Sequence, residues 1–286
     1  FSAADLYIVH CTSLPFPLSV IFFKKVTLFP SKGVDAARDG VYDNSVNIRW
    51  KVQELDECES TFNVARKLPA WSVVSCDHQT KGRGRFNREW FGTTGGLWAT
   101  YNVPIDPKAA RHWGLLPLVA GAAIMDALKA YKIPGLRLRW PNDVLVGKSK
   151  LAGILVERPS ATMASIGIGL NMHNDIRPLA GVTLDPTTRL ADLIKPCPSA
   201  KKFRTILGDS IAETFHYFVD GGLDAVFPML EAAWGESRPV VAITDTERIC
   251  GYFAGVEQDG SPILRKADGT LITVPGITVN RLKELI

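Results

Sequence analysis

Gln79–Trp90, QTKGRGRFNREW, carries four cations (Lys81, Arg83, Arg85, Arg88) before its first acid, Glu89. The 286-residue chain has a formal net charge of only +4, so this stretch holds most of the excess. Gly82 and Gly84 alternate with the arginines. Glycine lets a backbone approach a ligand closely. Such a loop can wrap an anion with amide N–H groups and guanidinium forks together. A merely solvated basic loop has the same composition. The chain on either side decides between the two readings.

Upstream, the chain becomes regular around Val52–Leu55. Glu59-Ser60-Thr61 is expected to start a helix running to about Leu68, with Ser60 as its N-cap. The same Ser60 and Thr61 hydroxyls would also suit a polar ligand. Trp71–Cys76 reads as a buried strand that delivers the chain to the basic loop. Downstream, Gly95–Val103 reads as a strand, and Ala109–Tyr131 has helical spacing closed by Pro134-Gly135. Strands are expected at 136–140, 144–146, Leu151–Glu157 and Met163–Asn171. Short strands following one long helix indicate a mixed sheet rather than repeated βαβ units. Residues 199–235 are helical in character. Beyond Gly235–Arg238 the texture changes to short strands separated by Asp259-Gly260 and Asp268-Gly269. Asp-Gly between extended runs marks hairpins, so the last fifty or so residues read as a small barrel.

Composition narrows the class. At 46% hydrophobic and 22% charged, the chain suits one large domain, or one with a small companion. The mild net charge favours a local anion site over a nucleic-acid-binding surface. The five cysteines are scattered, odd in number and without a C-x-x-C pair. That argues against a disulfide framework or zinc site and for the reducing cytoplasm. Leu14–Phe23 is apolar, but Pro15 and Pro17 interrupt it, and it is too short to span a bilayer. No basic residue precedes it, so it is a poor signal peptide. Residues 1–50 form a lead-in to which no role is assigned. They show no helix-turn-helix pattern, so neither specific DNA nor a membrane is an expected partner.

Three stretches now stand together: KGRGRFNREW (81–90), RWPNDVLVGKSKLAGILVE (139–157) and GIGLN (167–171). The set resembles the biotin–protein ligases, which carry a GRGRxxRxW loop, a [KR]WPND turn, a KLAGIL strand and a GxGxN strand end in that order. The resemblance covers roughly residues 52–286. It implies an α+β fold, in which a mixed-sheet, class II synthetase-like catalytic domain (51–236) precedes an SH3-like barrel (237–286). It implies that biotin and ATP, with Mg2+, form biotinoyl-AMP and pyrophosphate. The biotinyl group then passes to one lysine of a biotin carboxyl carrier protein belonging to acetyl-CoA carboxylase or a related carboxylase.

Residue by residue, the resemblance gives Ser60, Thr61 and Gln79 the biotin ureido head. It gives Gly82, Arg83 and Arg85 the biotin carboxylate and phosphate. Arg88 would hold the triphosphate, and Trp90 would stack on adenine. Lys150 would meet both the biotin carboxylate and the α-phosphate, so Lys150, Arg85 and Arg83 are the expected catalytic residues. Lys148 competes with Lys150, because strand alternation points both the same way. Gly153 and Gly167 would admit biotin against the backbone. Asn142, Asp143 and Asn171 would face the nucleotide, with Asp143 a candidate Mg2+ ligand. After Pro141, Asn142-Asp143 also has the look of a simple turn pair. The sequence departs from the family at Asn87, usually Gly, at Lys81, often Ala, and harmlessly at Leu170. A ligase for another carboxylic acid such as lipoate, or a bifunctional ligase-repressor, is the alternative. A homodimer is compatible with either.

Overall fold

The computed structural model describes residues 7–10, 19–22, 48–105, 110–179, 181–183 and 185–285. Most of the 1–50 lead-in, including most of the Leu14–Phe23 stretch, lies outside them. Within it, β1 (Tyr7–His10) and β2 (Ser19–Phe22) pair antiparallel, two strands that the sequence reading does not assign.

The main sheet begins with β3 (Lys51–Cys58), α1 (Thr61–Ala65) and β4 (Ser72–Arg83). β5 (Glu89–Gly92) and β6 (Leu97–Pro104) follow. After α2 (Leu116–Lys129) come β7 (Leu136–Arg139), β8 (Asp143–Val146), β9 (Ser149–Ser160) and β10 (Met163–Leu170). The strands run in the order β3-β4-β6-β10-β9-β8-β7, with β5 on β4. β3 and β4 are parallel and the other pairs antiparallel, which gives the expected mixed sheet.

β6 is buried along nearly its whole length, as a central strand covered on both faces must be. Its Asn102 is tied in by bonds from its Nδ2 to the Ala65 carbonyl and from Ser165 Oγ to its Oδ1. Tyr101 donates its hydroxyl to the Arg204 carbonyl. These bonds satisfy polar groups that would be costly to bury unpaired. α2 lies against the sheet, with Leu116, Val119, Ala123, Ile124 and Leu128 all buried. α3 (Leu190–Leu193), α4 (Ala200–Gly221) and α5 (Phe227–Trp234) are the remaining α-helices among the described residues. α4 is capped by Ser199, whose Oγ accepts from the Lys202 amide.

The C-terminal strands are β11 (Pro239–Ile243), β12 (Arg248–Val256), β13 (Pro262–Arg265), β14 (Leu271–Thr273) and β15 (Arg281–Glu284). They form a second, antiparallel sheet in the order β14-β13-β12-β11-β15. β15 falls outside the strands expected from sequence. This sheet is fastened to the first. Trp140 donates its indole N–H to the Gly260 carbonyl at 2.9 Å. Arg137 forks onto both carboxylate oxygens of Glu284 at 2.5 Å, and both side chains are buried or nearly so.

Two local expectations need correction. The basic stretch is largely strand: β4 continues through Arg83 and turns at 85–87 into β5, pairing Gly82 with Trp90 and Arg83 with Glu89. Lys148 does not alternate with Lys150. Gly147-Lys148 is the β8–β9 turn, and β9 begins only at Ser149.

Candidate active site

A cavity of about 380 Å³ opens on the main sheet where β9 and β10 run side by side. In that ladder Gly153 lies opposite Gly169, and Leu155 opposite Gly167. Residues two apart share a face, so a glycine-lowered floor results. α1, the β4–β5 hairpin, the Trp140–Asp143 turn, the loop before α3 and β15 form its walls.

At one wall Ser60 stands in the N-cap position of α1 with extended backbone, but its side chain makes no cap bond. Its Oγ is buried without a hydrogen-bond partner. The expected capping role is therefore not taken up, and the hydroxyl is left in the cavity wall. Thr61 is engaged: Gln79 Oε1 accepts from its amide at 2.8 Å and from its hydroxyl at 3.1 Å.

The hairpin supplies the cations. Arg83 pairs with Glu157 at 3.0 Å and lies over the Phe62 ring. Arg85 stacks on Phe86 and donates to Asn142 Oδ1 at 3.4 Å. Burial lowers the Arg85 pKa from its usual value, with Asp143 opposing that shift and Arg88 adding to it. Phe86 takes a left-handed φ of 58°, and the turn is closed by the Gly84 amide donating to the Arg88 carbonyl at 2.7 Å. Trp90 reaches inward over the glycine floor. A methyl group at Gly169 would overlap its indole, and one at Gly153 would come within 2.8 Å of it. Lys150 Nζ stands 5.2 Å from the Trp90 ring centroid. The indole nitrogen, like Ser60 Oγ, is buried without a partner.

The third wall is a run of alternating charge. Lys150 bonds Asp143 Oδ1 at 2.6 Å, and Arg139 bonds Asp143 Oδ2 at 2.6 Å. Arg139 also forks onto Asp185 at 3.0 and 2.7 Å, and Arg281 stands 3.9 Å from Asp185. Burial alone would raise the Asp143 pKa, but the charges of Lys150 and Arg139 outweigh it and hold the carboxyl below its usual range. The hydrogen bond from Arg139 does the same for Asp185. Asn142 Nδ2 donates to the Ile154 carbonyl, and Asn171 Oδ1 accepts from Asn174.

The cavity thus gathers Ser60, Thr61, Gln79, Arg83, Arg85, Arg88, Trp90, Asn142, Asp143, Lys150, Gly153, Gly167 and Asn171, residues drawn from more than a hundred positions of sequence. Gly82 is the exception. It faces the Trp90 carbonyl in the hairpin ladder, where a side chain would overlap it. Gly167 makes room for the Phe62 ring. Lys148 is exposed outside the cavity. Sequence reasoning gave no role to Arg139 and Gly169, although both lie in quoted motifs. It passed over Asp185 and Arg281 altogether: each is one charged residue in a stretch without periodicity.

Residues 58–171 match the Biotin/lipoate A/B protein ligase family. Over 239 residues the chain is 31% identical to the biotin–[acetyl-CoA-carboxylase] ligase of Paracoccus denitrificans, across 75% of this chain and 94% of that protein. The chain belongs to the biotin–protein ligase family. It is also 35% identical over 140 residues to the biotin–[acetyl-CoA-carboxylase] ligase of Mycobacterium tuberculosis, covering 47% of this chain and half of that relative's length. The biotin protein ligase of Aquifex aeolicus, solved in complex with biotin and ATP, superposes with a TM-score of 0.71 at 24% identity. That match covers 82% of this chain and 99% of the other, so the biotin–protein ligase fold is shared.

Proposed function

We propose that this protein joins biotin to ATP in its cavity and then transfers the biotinyl group to a lysine of a biotin carboxyl carrier protein. The observation that carries this reading is the Lys150–Asp143 ion pair, which lines one cavity with Arg83, Arg85 and Arg88 of the hairpin and with the glycine floor. A biotin carboxylate oxygen attacks the α-phosphorus of ATP, and the bond to the β-phosphate oxygen breaks, releasing pyrophosphate. The carrier lysine amine then attacks the acyl carbon, and AMP leaves. Both reacting groups of the first step are anionic, so positioning and charge neutralisation dominate. Lys150, Arg83 and Arg85 supply positive charge from two sides. Ser60 Oγ and Trp90 Nε1 are buried polar atoms without partners. A ligand that bonds them recovers the roughly 1–3 kcal/mol that each such group costs when unmet. Ser60, Thr61 and Gln79 suit the ureido head, and Trp90 suits a planar base.

Mg2+ fits less directly. Both Asp143 oxygens already accept from cations, so Asp143 is not a ready ligand, and no step is assigned to the ion. Magnesium commonly enters such sites on substrate phosphates. Residues 51–236 form the catalytic unit in this reading, and the five-stranded C-terminal sheet is its SH3-like barrel.

Biotin-dependent exchange of labelled pyrophosphate into ATP tests the proposal. Exchange with biotin and none with lipoate is the expected result. Exchange driven by lipoate would transfer the reading to the other branch of the family, and none with either acid would end it.

A further inference from the structure

We propose that Asp185 is a positioning residue for adenylation: by occupying the guanidinium fork of Arg139 it leaves one oxygen of Asp143 to the Lys150 ammonium. This rests on the ligase reading of the cavity.

Arg139 and Asp143 are directly opposed in the β7–β8 ladder. An arginine facing a carboxylate favours a two-pronged fork that takes both oxygens. Here the fork is diverted. Nη1 and Nη2 bond the two Asp185 oxygens at 3.0 and 2.7 Å, and only Nη2 reaches Asp143, on Oδ2. Asp143 Oδ1 is thereby left for Lys150 at 2.6 Å. Without Asp185, the planar fork can close on both Asp143 oxygens and displace the single-point ammonium.

The backbone makes this more than a chance encounter. The segment following Asp185 is stitched to Lys150 itself. The Lys150 amide donates to the Pro186 carbonyl at 2.7 Å, and the Thr188 amide donates to the Lys150 carbonyl at 3.0 Å. Thr187 and Lys150 form a parallel bridge. The bonds that fix the Lys150 backbone therefore also fix Asp185. On its other side Asp185 meets Arg281 of β15 at 3.9 Å, which links the C-terminal sheet to the same charge run.

Charge alone predicts the opposite effect. Asp185→Asn makes the site more positive, so a purely electrostatic role would lower KM for ATP and leave kcat unchanged or raised. The positioning role lowers kcat. Pyrophosphate exchange with ATP varied at saturating biotin, and with biotin varied at saturating ATP, separates the two for wild type, Asp185→Asn, Asp185→Glu, Arg139→Gln and the Arg139→Gln/Asp185→Asn double variant. Asp185→Asn is expected to lose about tenfold or more in kcat, within the ~100-fold that an ångström of misplacement can cost. Biotin KM should stay within about twofold, and Asp185→Glu should regain part of the loss. Because Asp185 acts through the Arg139 fork, the double variant should be no slower than Arg139→Gln alone, a non-additivity expected only of coupled residues. Wild-type kcat in Asp185→Asn, or losses that multiply in the double variant, would overturn the proposal. Should Asp185→Asn fail to bind biotin, Asp185→Glu and the double variant still decide by the same comparison. A wild-type enzyme without exchange would instead remove the ligase reading itself.

Discussion

Lys150 and Lys148 lie two residues apart in the KSKLAG stretch and are chemically identical, yet their environments differ. Lys150 stands in the cavity wall against Asp143, while Lys148 sits exposed in a turn. Lys150→Gln should lower pyrophosphate exchange by about two orders of magnitude, roughly the 3 kcal/mol typical of removing one electrostatic stabiliser. It should melt within a few degrees of wild type, because Arg139 still neutralises Asp143. Lys148→Gln should lose less than about tenfold, and a dead Lys148 variant would contradict this assignment. Asp143 itself makes a pH prediction. Its folded-state pKa is depressed, so the stability it contributes is present above the unfolded value of about 4 and is lost as pH falls through the folded value. The urea midpoints of wild type and Asp143→Asn should therefore differ near neutrality and converge in strong acid. Ser60 gives a third test. A true N-cap loses about 1 kcal/mol on replacement by alanine. Ser60 Oγ makes no cap bond and is buried unpaired, so Ser60→Ala should leave the ligand-free protein as stable or slightly more so. Biotin affinity should fall about tenfold, the effect of one lost hydrogen bond to a buried group. A clear drop in melting temperature with unchanged biotin binding would restore the capping role.

The β4–β5 hairpin is the element on which the reading turns. Its sequence advertised charge and glycine, and these look like a loop. The structure folds it as two paired strands because β4 does not stop where the hydrophobic run stops: its edge remains available to β5 as far as Arg83. Gly82 pairs with Trp90 in the ladder, and any side chain there overlaps the Trp90 carbonyl. Gly82→Ala should part the strands and move Trp90 off the glycine floor. The expected outcome is faster tryptic cleavage at Arg83–Arg88 than in wild type, with incomplete protection by biotin and ATP. Equal cleavage of the two proteins would show that the hairpin tolerates the change.

At the scale of the whole molecule, the two sheets share a site. β15 brings Arg281 and Leu282 to the cavity wall, with Asn280 just before it, and the Arg137–Glu284 pair fastens β15 to β7. Breaking a buried pair strands a charge, at a cost of about 3–5 kcal/mol. Glu284→Gln should therefore unfold at markedly lower denaturant and raise KM for ATP more than KM for biotin, because β15 meets the cavity at the Arg139–Asp185 charge run. Equal changes in both constants would mean that the C-terminal sheet serves stability alone.

The sequence by itself determined the mixed sheet and the run of C-terminal hairpins, and its resemblance to the biotin–protein ligases named thirteen of the residues that line the cavity. The sheet and the hairpins rest on local physics, apolar periodicity and Asp-Gly turns; the cavity residues rest on motifs whose members sit within a few positions of one another. Tertiary structure alone decided that Lys148 lies in a turn outside the cavity, that Ser60 does not cap its helix through its side chain, and that Arg139, Asp185 and Arg281 belong to one charge run. Asp185 stands 46 residues from Arg139 and 96 from Arg281. No periodicity spans such separations. A lone carboxylate becomes informative only when the backbone bonds of Pro186 and Thr188 lay it beside Lys150, because electrostatic coupling depends on distance through space and burial rather than on position along the chain.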